Sequence, residues 1–452
     1  MAGAAPPVPV ELNAPDLEKR LSPTEESGSP TGTRVDVGAT EADLEKAALE
    51  EAYNAEYPDG GLRAWLIVVG AAFITFSTFG YVNSWGVFQA YYQETLLQDT
   101  SPSNIAWIGS IQYALVFIPA LVTGHAFDRG HLKIPMALAS ALLVAATFLT
   151  AECTKYWHFL LCQGFAIGLA SGVVYGPTVA VVGHWFKYRR GLATGLTAVG
   201  SSLGGTLLPI AAQQLIPRVG FPWTMRIIGF ILIFTLGVPN ILMRRRLPPK
   251  HVPGGLLNLK AFKSLTYSVY CAAGVVAFLG LYTVLTYIDV SAASVGIPTE
   301  FSFYLVSIAN SASLFGRISA GFATDKFGVI NTVAPMCTIA AILTYVWPLA
   351  HSKGAFVAVA LIYGYASGVY VSSFILPLYH MGEIADVGRR AGMAVTLTAF
   401  GAVAGPPISG AIASASGGYN AVGIYAGTVI LVAIAMMLYT RYLVLQSMWG
   451  KF

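Results

Sequence analysis

Charge is scarce in this sequence of 452 residues: 26 Lys and Arg with 22 Asp and Glu make only 11% charged residues, against 55% hydrophobic ones. Soluble domains carry about a quarter of their residues charged, so this chain has too few charged groups to cover a water-facing surface. That excludes an ordinary soluble domain and leaves an integral membrane protein. Acids are scarcer still beyond the N-terminus, since 13 of the 22 lie between Glu11 and Asp59, which leaves 22 minus 13, or 9, for the rest. Cysteine is equally sparse. Cys153, Cys162, Cys271 and Cys337 sit in or beside apolar runs without paired spacing, which argues for packing residues and against a zinc site or a disulfide framework. No phosphate-cradling glycine loop with a Walker lysine is present, and the mid-run Ser, His and acidic residues converge on no nucleophile and base. An enzyme, a nucleotide-driven pump, a metal or cofactor site and a nucleic-acid partner are therefore not expected.

Apolar length is abundant. From Trp65 onward, apolar runs alternate with short polar breaks. Each has about 20 residues, the length that crosses roughly 30 Å of hydrocarbon as a helix. Twelve are expected, near 65–92, 105–127, 132–151, 156–183, 191–214, 222–243, 265–290, 301–324, 329–350, 354–380, 391–414 and 419–445. The fold class is thus an all-α, multi-pass membrane protein of twelve transmembrane helices. An acidic tail over 1–58, rich in Pro, Ser, Thr, Glu and Ala, has no signal-peptide core and is expected to be disordered. A six-helix bundle over 59–243, a basic linker over 244–264, a second six-helix bundle over 265–446 and a short tail over 447–452 complete the plan.

Lys and Arg set the orientation, because loops rich in them stay cytoplasmic. The even-numbered connections hold fourteen, namely Arg129, Lys133, Lys187, Arg189, Arg190, six in the linker, Lys326, Arg389 and Arg390. The odd-numbered ones hold four: Lys155, Arg218, Arg226 and Lys353. Both termini are expected in the cytoplasm.

The halves repeat. Gly124, Asp128 and Arg129 at the end of the second run match Gly321, Asp325 and Lys326 at the end of the eighth, a displacement of 321 minus 124, or 197. Ala170 to Val173 match Ala366 to Val369 at 196, and Arg189, Arg190 match Arg389, Arg390 at 200. Gly200 and Gly204 stand against Gly401 and Gly405 in the runs that follow. Parallel six-helix repeats place a substrate site at their interface near the midplane. Glycines at every fourth residue, such as Gly164, Gly168 and Gly172, let helix backbones approach closely where lipid supplies no hydrophobic drive.

Arg317 is the residue to explain, since a guanidinium near mid-bilayer costs about 2.5 to 3.5 kcal/mol on insertion scales. It faces a cavity as a substrate or ion ligand, or it snorkels to the cytoplasmic surface or pairs with a neighbouring helix. Asn310, two turns before it, shares its helix face. Asn83, Tyr81, Tyr113, Tyr175 and Tyr370 are the other candidates for a substrate pocket, with interhelical packing as the alternative for each.

The paired Gly124–Asp128–Arg129 and Gly321–Asp325–Lys326 pattern resembles the cytoplasmic gating motif of the major facilitator superfamily. Asp59–Gly60–Gly61–Leu62–Arg63–Ala64–Trp65 is similar to the signature that opens monocarboxylate porters, and Trp185 to Gly195, with Gly200 and Gly204, resembles their second signature. Gly86–Val87–Phe88–Gln89, followed by Tyr91 and Tyr92, looks like the fungal branch. The resemblance runs from Asp59 to the last helix and implies two six-helix halves that rock about a central site. It implies gating by Gly124, Asp128, Arg129, Gly321, Asp325, Lys326, Arg189 and Arg190. Arg317 falls where the family holds a substrate carboxylate, a task suited to a planar bidentate donor.

Proton-coupled lactate carriers also use a lysine on the first helix and an acid one turn before the arginine. Those places here hold Asn83 and Ser313. The resemblance therefore implies a secondary transporter for an organic anion or amphipathic metabolite, with protons as the possible coupling ion. An exporter of a fungal secondary metabolite and a non-transporting nutrient sensor are the alternatives. A monomer in the plasma membrane is expected, with the vacuolar membrane as the second address.

Overall fold

Backbone N–H and C=O groups in hydrocarbon must be satisfied within their own segment or in a closed barrel, so long apolar runs become helices. The computed structural model describes residues 57–248, 255–382, 386–447 and 450–451, and no strand occurs among them. The expected tail up to residue 56, residues 249–254 of the linker, Glu383, and residues 448, 449 and 452 lie outside the described residues.

Ten described stretches are long and apolar enough to cross a membrane. They comprise α1 (Gly61–Leu96), α2 (Asn104–Asp128), α3 (Lys133–Thr150), α4 (Tyr156–Trp185), the 53-residue Arg190–Leu242, α7 (Leu265–Ser294), α9 (Val329–Leu349), α10 (Lys353–His380), α11 (Val387–Ser416) and α12 (Asn420–Leu445). Arg190–Leu242 is two helices, because Gly220 takes φ 79°, a left-handed conformation open to glycine, between Pro217 and Pro222. We label the parts α5 (190–219) and α6 (221–242). The 24-residue α8 (Tyr304–Phe327) makes twelve. Hydropathy alone passes over α8, since Asn310, Arg317, Asp325, Lys326 and four serines dilute its apolar residues.

The helices pack as two sets. Within the first half, α1 packs on α5 and α6, α2 on α4, and α3 on α4 and α6. In the second half α7 packs on α11 and α12, α8 on α10, and α9 on α10 and α12. Two seams join the halves, α5 against α8 and α2 against α11. Small residues allow the closest crossings: a methyl group at Gly80 of α1 would lie 2.6 Å from the Gly204 Cα of α5.

Four helices are interrupted beside the middle of the molecule, α2 among them at Ile118 and Pro119. A π-helical turn over Phe76–Gly80 and a non-helical turn at Asn83 and Ser84 bend α1. Tyr282 interrupts α7, and Gly176 with Pro177 interrupts α4.

The seams also fix the repeat's register. Gly124 of α2 abuts Gly388 of α11, and Gly321 of α8 abuts Gly191 of α5, so Gly191 pairs with Gly388 at a displacement of 388 minus 191, or 197. The arginine pairs matched at 200 are therefore about one helical turn out of register at these seams. Gly200 and Gly204 meet the Ala72 and Phe76 carbonyls of α1 as Gly401 and Gly405 meet the Val275 and Leu279 carbonyls of α7, so the glycine pairs hold corresponding crossings in the two halves. Likeness of residue type was misleading for the arginines alone, because backbone approach and not side-chain identity decides which turns meet.

Candidate functional site

Two carboxylates close one end of the bundle. Asp128, ending α2, accepts from the backbone N of Gly388 (3.2 Å) and Arg389 (2.8 Å) at the start of α11. Asp325, near the end of α8, accepts from the N of Gly191 (2.7 Å) and Leu192 (2.9 Å) at the start of α5. Each anion thus crosses a seam to meet the unpaired N–H groups and positive dipole end of a helix in the other half. Asp59 joins the two signature segments in a third such contact. Its Oδ1 accepts from the backbone N of Lys187 (2.8 Å), Tyr188 (2.7 Å) and Arg189 (3.0 Å), so the chain entering α1 gathers the loop before α5.

Of the basic residues expected at this gate, only Arg190 is buried. Its Nε donates to the carbonyl of Phe186 (3.0 Å), and its guanidinium lies 4.2 Å from the centre of the Tyr379 ring. Arg129, Arg189 and Lys326 are exposed and make no side-chain contact across either seam among the described residues. They are dropped from the closure itself, because a charged side chain at a helix end reaches water more cheaply than it crosses a dry seam. Tyr379, which sequence reasoning missed, does cross. Its hydroxyl donates to the carbonyl of Val179 on α4 (2.6 Å).

Beyond this closed end lies a cavity of about 200 Å³ between the halves. Arg317 lines it and is only 6% exposed. Its Nε donates to Ser313 Oγ (3.0 Å), and its Nη1 donates to the carbonyl of Ala198 (2.6 Å) and to Ser201 Oγ. Arginine side chains on a helix lean toward the N-terminus, which carries the guanidinium away from the closed end and onto α5. Pairing with a neighbouring helix is thus part of its environment, while snorkelling to the surface is not. Nη2 has no partner among the described residues, and no acid lies among the residues lining the cavity. The cation is therefore held by neutral oxygens alone.

Asn83, Asn310, Tyr113 and Tyr175 line the same cavity. Tyr81 and Tyr370 do not, and we withdraw them from the substrate set. Tyr81 is 1% exposed and packs edge-on against Phe88, with ring centres 6.3 Å apart. Tyr370, also 1% exposed, stacks on Phe374 at 6.0 Å. Both sit on helix faces turned into their own half, a choice that apolar periodicity cannot make for a buried helix. Missed lining residues include Ser201, Tyr282, Phe117 and Phe278. Tyr282 sits at the α7 interruption, its ring centre 5.4 Å from that of Tyr113. The Thr283–Tyr287 segment of mixed polarity was the one available signal.

A second pocket, of about 360 Å³, continues from the first on the side away from the closed end and shares Asn83 and Val306 with it. The sequence model of the Major Facilitator Superfamily matches residues 74–382 of the chain. The chain belongs to this superfamily. It is a membrane transporter of that type and not an enzyme.

Similar superfamily proteins include the aspyridones efflux protein apdF of Emericella nidulans, 35% identical over 377 residues, which covers 83% of this chain and 77% of that protein. The fujikurins efflux protein of Gibberella fujikuroi is 33% identical over 440 residues, 95% of this chain and 94% of its own. Among solved structures, the human organic anion transporter MFSD10 superposes with a TM-score of 0.66 at 15% identity, covering 83% of this chain and 98% of its own. The E. coli fucose:proton symporter FucP has a TM-score of 0.64 at 15% identity, covering 84% and 98%. The last two share the facilitator fold.

Proposed function

We propose that this facilitator exports an amphipathic organic anion by alternating access, with Arg317 as the counter-ion of the cargo. One observation carries the reading: a buried guanidinium with Nη2 uncommitted and no carboxylate in its cavity. An uncompensated buried charge costs several kcal/mol, so an anion arriving there removes a standing penalty. Phe117, Phe278, Tyr113 and Tyr175 offer aromatic faces for an apolar body. The resemblance of Asp59–Trp65 and Trp185–Gly195 to monocarboxylate-porter signatures supports the anionic half of the reading, and the names of the fungal relatives support its direction.

The basic loops support an orientation with both termini and the Asp128–Asp325 end in the cytoplasm, and export from the cell places the protein in the plasma membrane. The cavity then opens outward through the second pocket. No acid lines the inner cavity, Glu94 and Asp289 lining only the outer pocket, and export of an anion needs no coupled proton. Each charge leaving a cell that is negative inside releases about 2.3 kcal/mol per 100 mV. The test compares a deletion strain with its wild type. An amphipathic acid retained in the deleted cells and lost from their medium is expected, and its efflux from proteoliposomes should accelerate when an inside-negative potential is imposed. A retained compound that is neutral, or a flux indifferent to potential, would overturn the proposal.

In the same reading, release of either seam cap opens the cytoplasmic gate. Each cap joins a carboxylate to two backbone N–H groups at a helix N-terminus, worth about 1 kcal/mol or roughly fivefold in population. Asp128→Asn and Asp325→Asn are each expected to raise cytoplasmic-side thiol labelling of a Ser201→Cys reporter several-fold. Labelling unchanged in both would remove these residues from the gate.

A further inference from the structure

Three residues come together where the inner cavity and the outer pocket meet. Asn83, at the non-helical turn of α1, lines both pockets. Asn310, on α8, lines the inner one and donates from Nδ2 to the carbonyl of Gly205 on α5 (3.2 Å). Gly205 lies between them. A methyl group there would stand 2.9 Å from Asn83 Nδ2 and 3.2 Å from Asn310 Nδ2, so the two amides converge on the one residue that has no side chain.

Their hydrogen-bonding capacity is mostly unspent. A carboxamide offers two N–H donors and one carbonyl acceptor. Asn310 uses one N–H on Gly205, while the Asn83 side chain bonds to no group among the described residues. The pair therefore presents uncommitted donors and uncommitted acceptors side by side where the two pockets meet. Unlike Arg317, it carries no charge, so it favours no ion. It complements a neutral group that donates and accepts through adjacent atoms.

We propose that Asn83 and Asn310, converging across Gly205, form a second polar subsite that takes a carboxamide or lactam of the cargo while Arg317 holds its anionic group. The proposal rests on the anion reading of Arg317 and deepens it. Asn310 lies seven residues before Arg317, about 10 Å along the helix axis, and the guanidinium leans back toward it. The amide and the acid of a fitting cargo are accordingly separated by a chain of several atoms. A simple short carboxylate reaches only one of the two subsites.

Two probes of equal length test this with the full-length protein in nanodiscs: 6-benzamidohexanoate, and 8-phenyloctanoate, which has methylenes where the first has its amide. Titration calorimetry, corrected with empty nanodiscs, reads the affinity ratio of the two. In Asn83→Leu and in Asn310→Leu the ratio is expected to fall about tenfold through weaker binding of the amide probe, with 8-phenyloctanoate within about twofold of wild type. Arg317→Gln is expected to weaken both probes together and leave the ratio unchanged. A ratio that survives both asparagine substitutions would overturn the amide subsite and leave the anion reading standing. Indifference of both probes to Arg317→Gln would overturn the anion reading, and binding of neither probe to wild type would overturn both.

Discussion

Arg317→Gln is expected to weaken anion binding about 100-fold while leaving the protein as stable as wild type or more so. The first part follows from the missing counter-ion. Hydrogen bonds to a charged partner contribute about 1.5 to 3 kcal/mol, and each 1.4 kcal/mol is a factor of ten. The second follows from the desolvation of the guanidinium, which Ser201, Ser313 and the Ala198 carbonyl offset only in part. Glutamine can keep a bond to those oxygens without burying a charge. Arg317→Lys should fall between, since an ammonium keeps the charge and loses the planar pair of donors. Thermal unfolding and probe titration on the same preparations check both parts. A variant that loses binding and stability together would assign Arg317 to tethering α8 to α5 instead of holding cargo.

The second large effect is expected at Gly124. An added methyl group would stand 2.2 Å from the carbonyl oxygen of Gly388 and 2.8 Å from its carbon. Both atoms are backbone, so no rotamer change relieves the clash, and α2 must withdraw from α11. Overpacking of this kind costs about 1 to 3 kcal/mol. As a population ratio that is roughly 5- to 150-fold against the arrangement closed at the Asp128–Asp325 end. Gly124→Ala should therefore raise labelling of the Ser201→Cys reporter from the Asp128–Asp325 side strongly and cut transport at least about tenfold. Gly237→Ala is the control, since a methyl group there has nothing within 4 Å. Equal labelling in the two variants would show that the α2–α11 contact does not set the gate.

The membrane plan was largely legible because one-dimensional quantities determine it. Helix ends in the structure stay within a few residues of those expected for most spans, as with Lys133–Thr150 against 132–151 and Asn420–Leu445 against 419–445. Hydrocarbon thickness sets such lengths whatever the neighbours are. The Gly124–Asp128 and Gly321–Asp325 repeat was equally visible, since both copies sit at the same place on equivalent helices. What their carboxylates touch was not visible. Asp128 meets α11 and Asp325 meets α5, partners 260 and 134 residues away in the chain.

The cavity divided along the same line. A charged or amide group in an apolar run announces itself, which is why Arg317 and Asn310 stand out in the sequence alone. Tyrosines do not, because an aromatic with a hydroxyl suits a packed helix contact and a wet cavity equally well. Tyr113 and Tyr175 reached the cavity while Tyr81 and Tyr370 turned away from it. Tyr282 was passed over because its place depends on a break in α7.

The order of residues by itself determined that this protein lives in lipid, how often it crosses and where a buried cation had to be explained, because each follows from transfer energies summed along a chain. Only the packed structure decided which helix faces meet, which turn of one half registers with which turn of the other, and that the cation has no acid beside it. Those are consequences of backbone approach between segments distant in the chain, and local composition contains no measure of it.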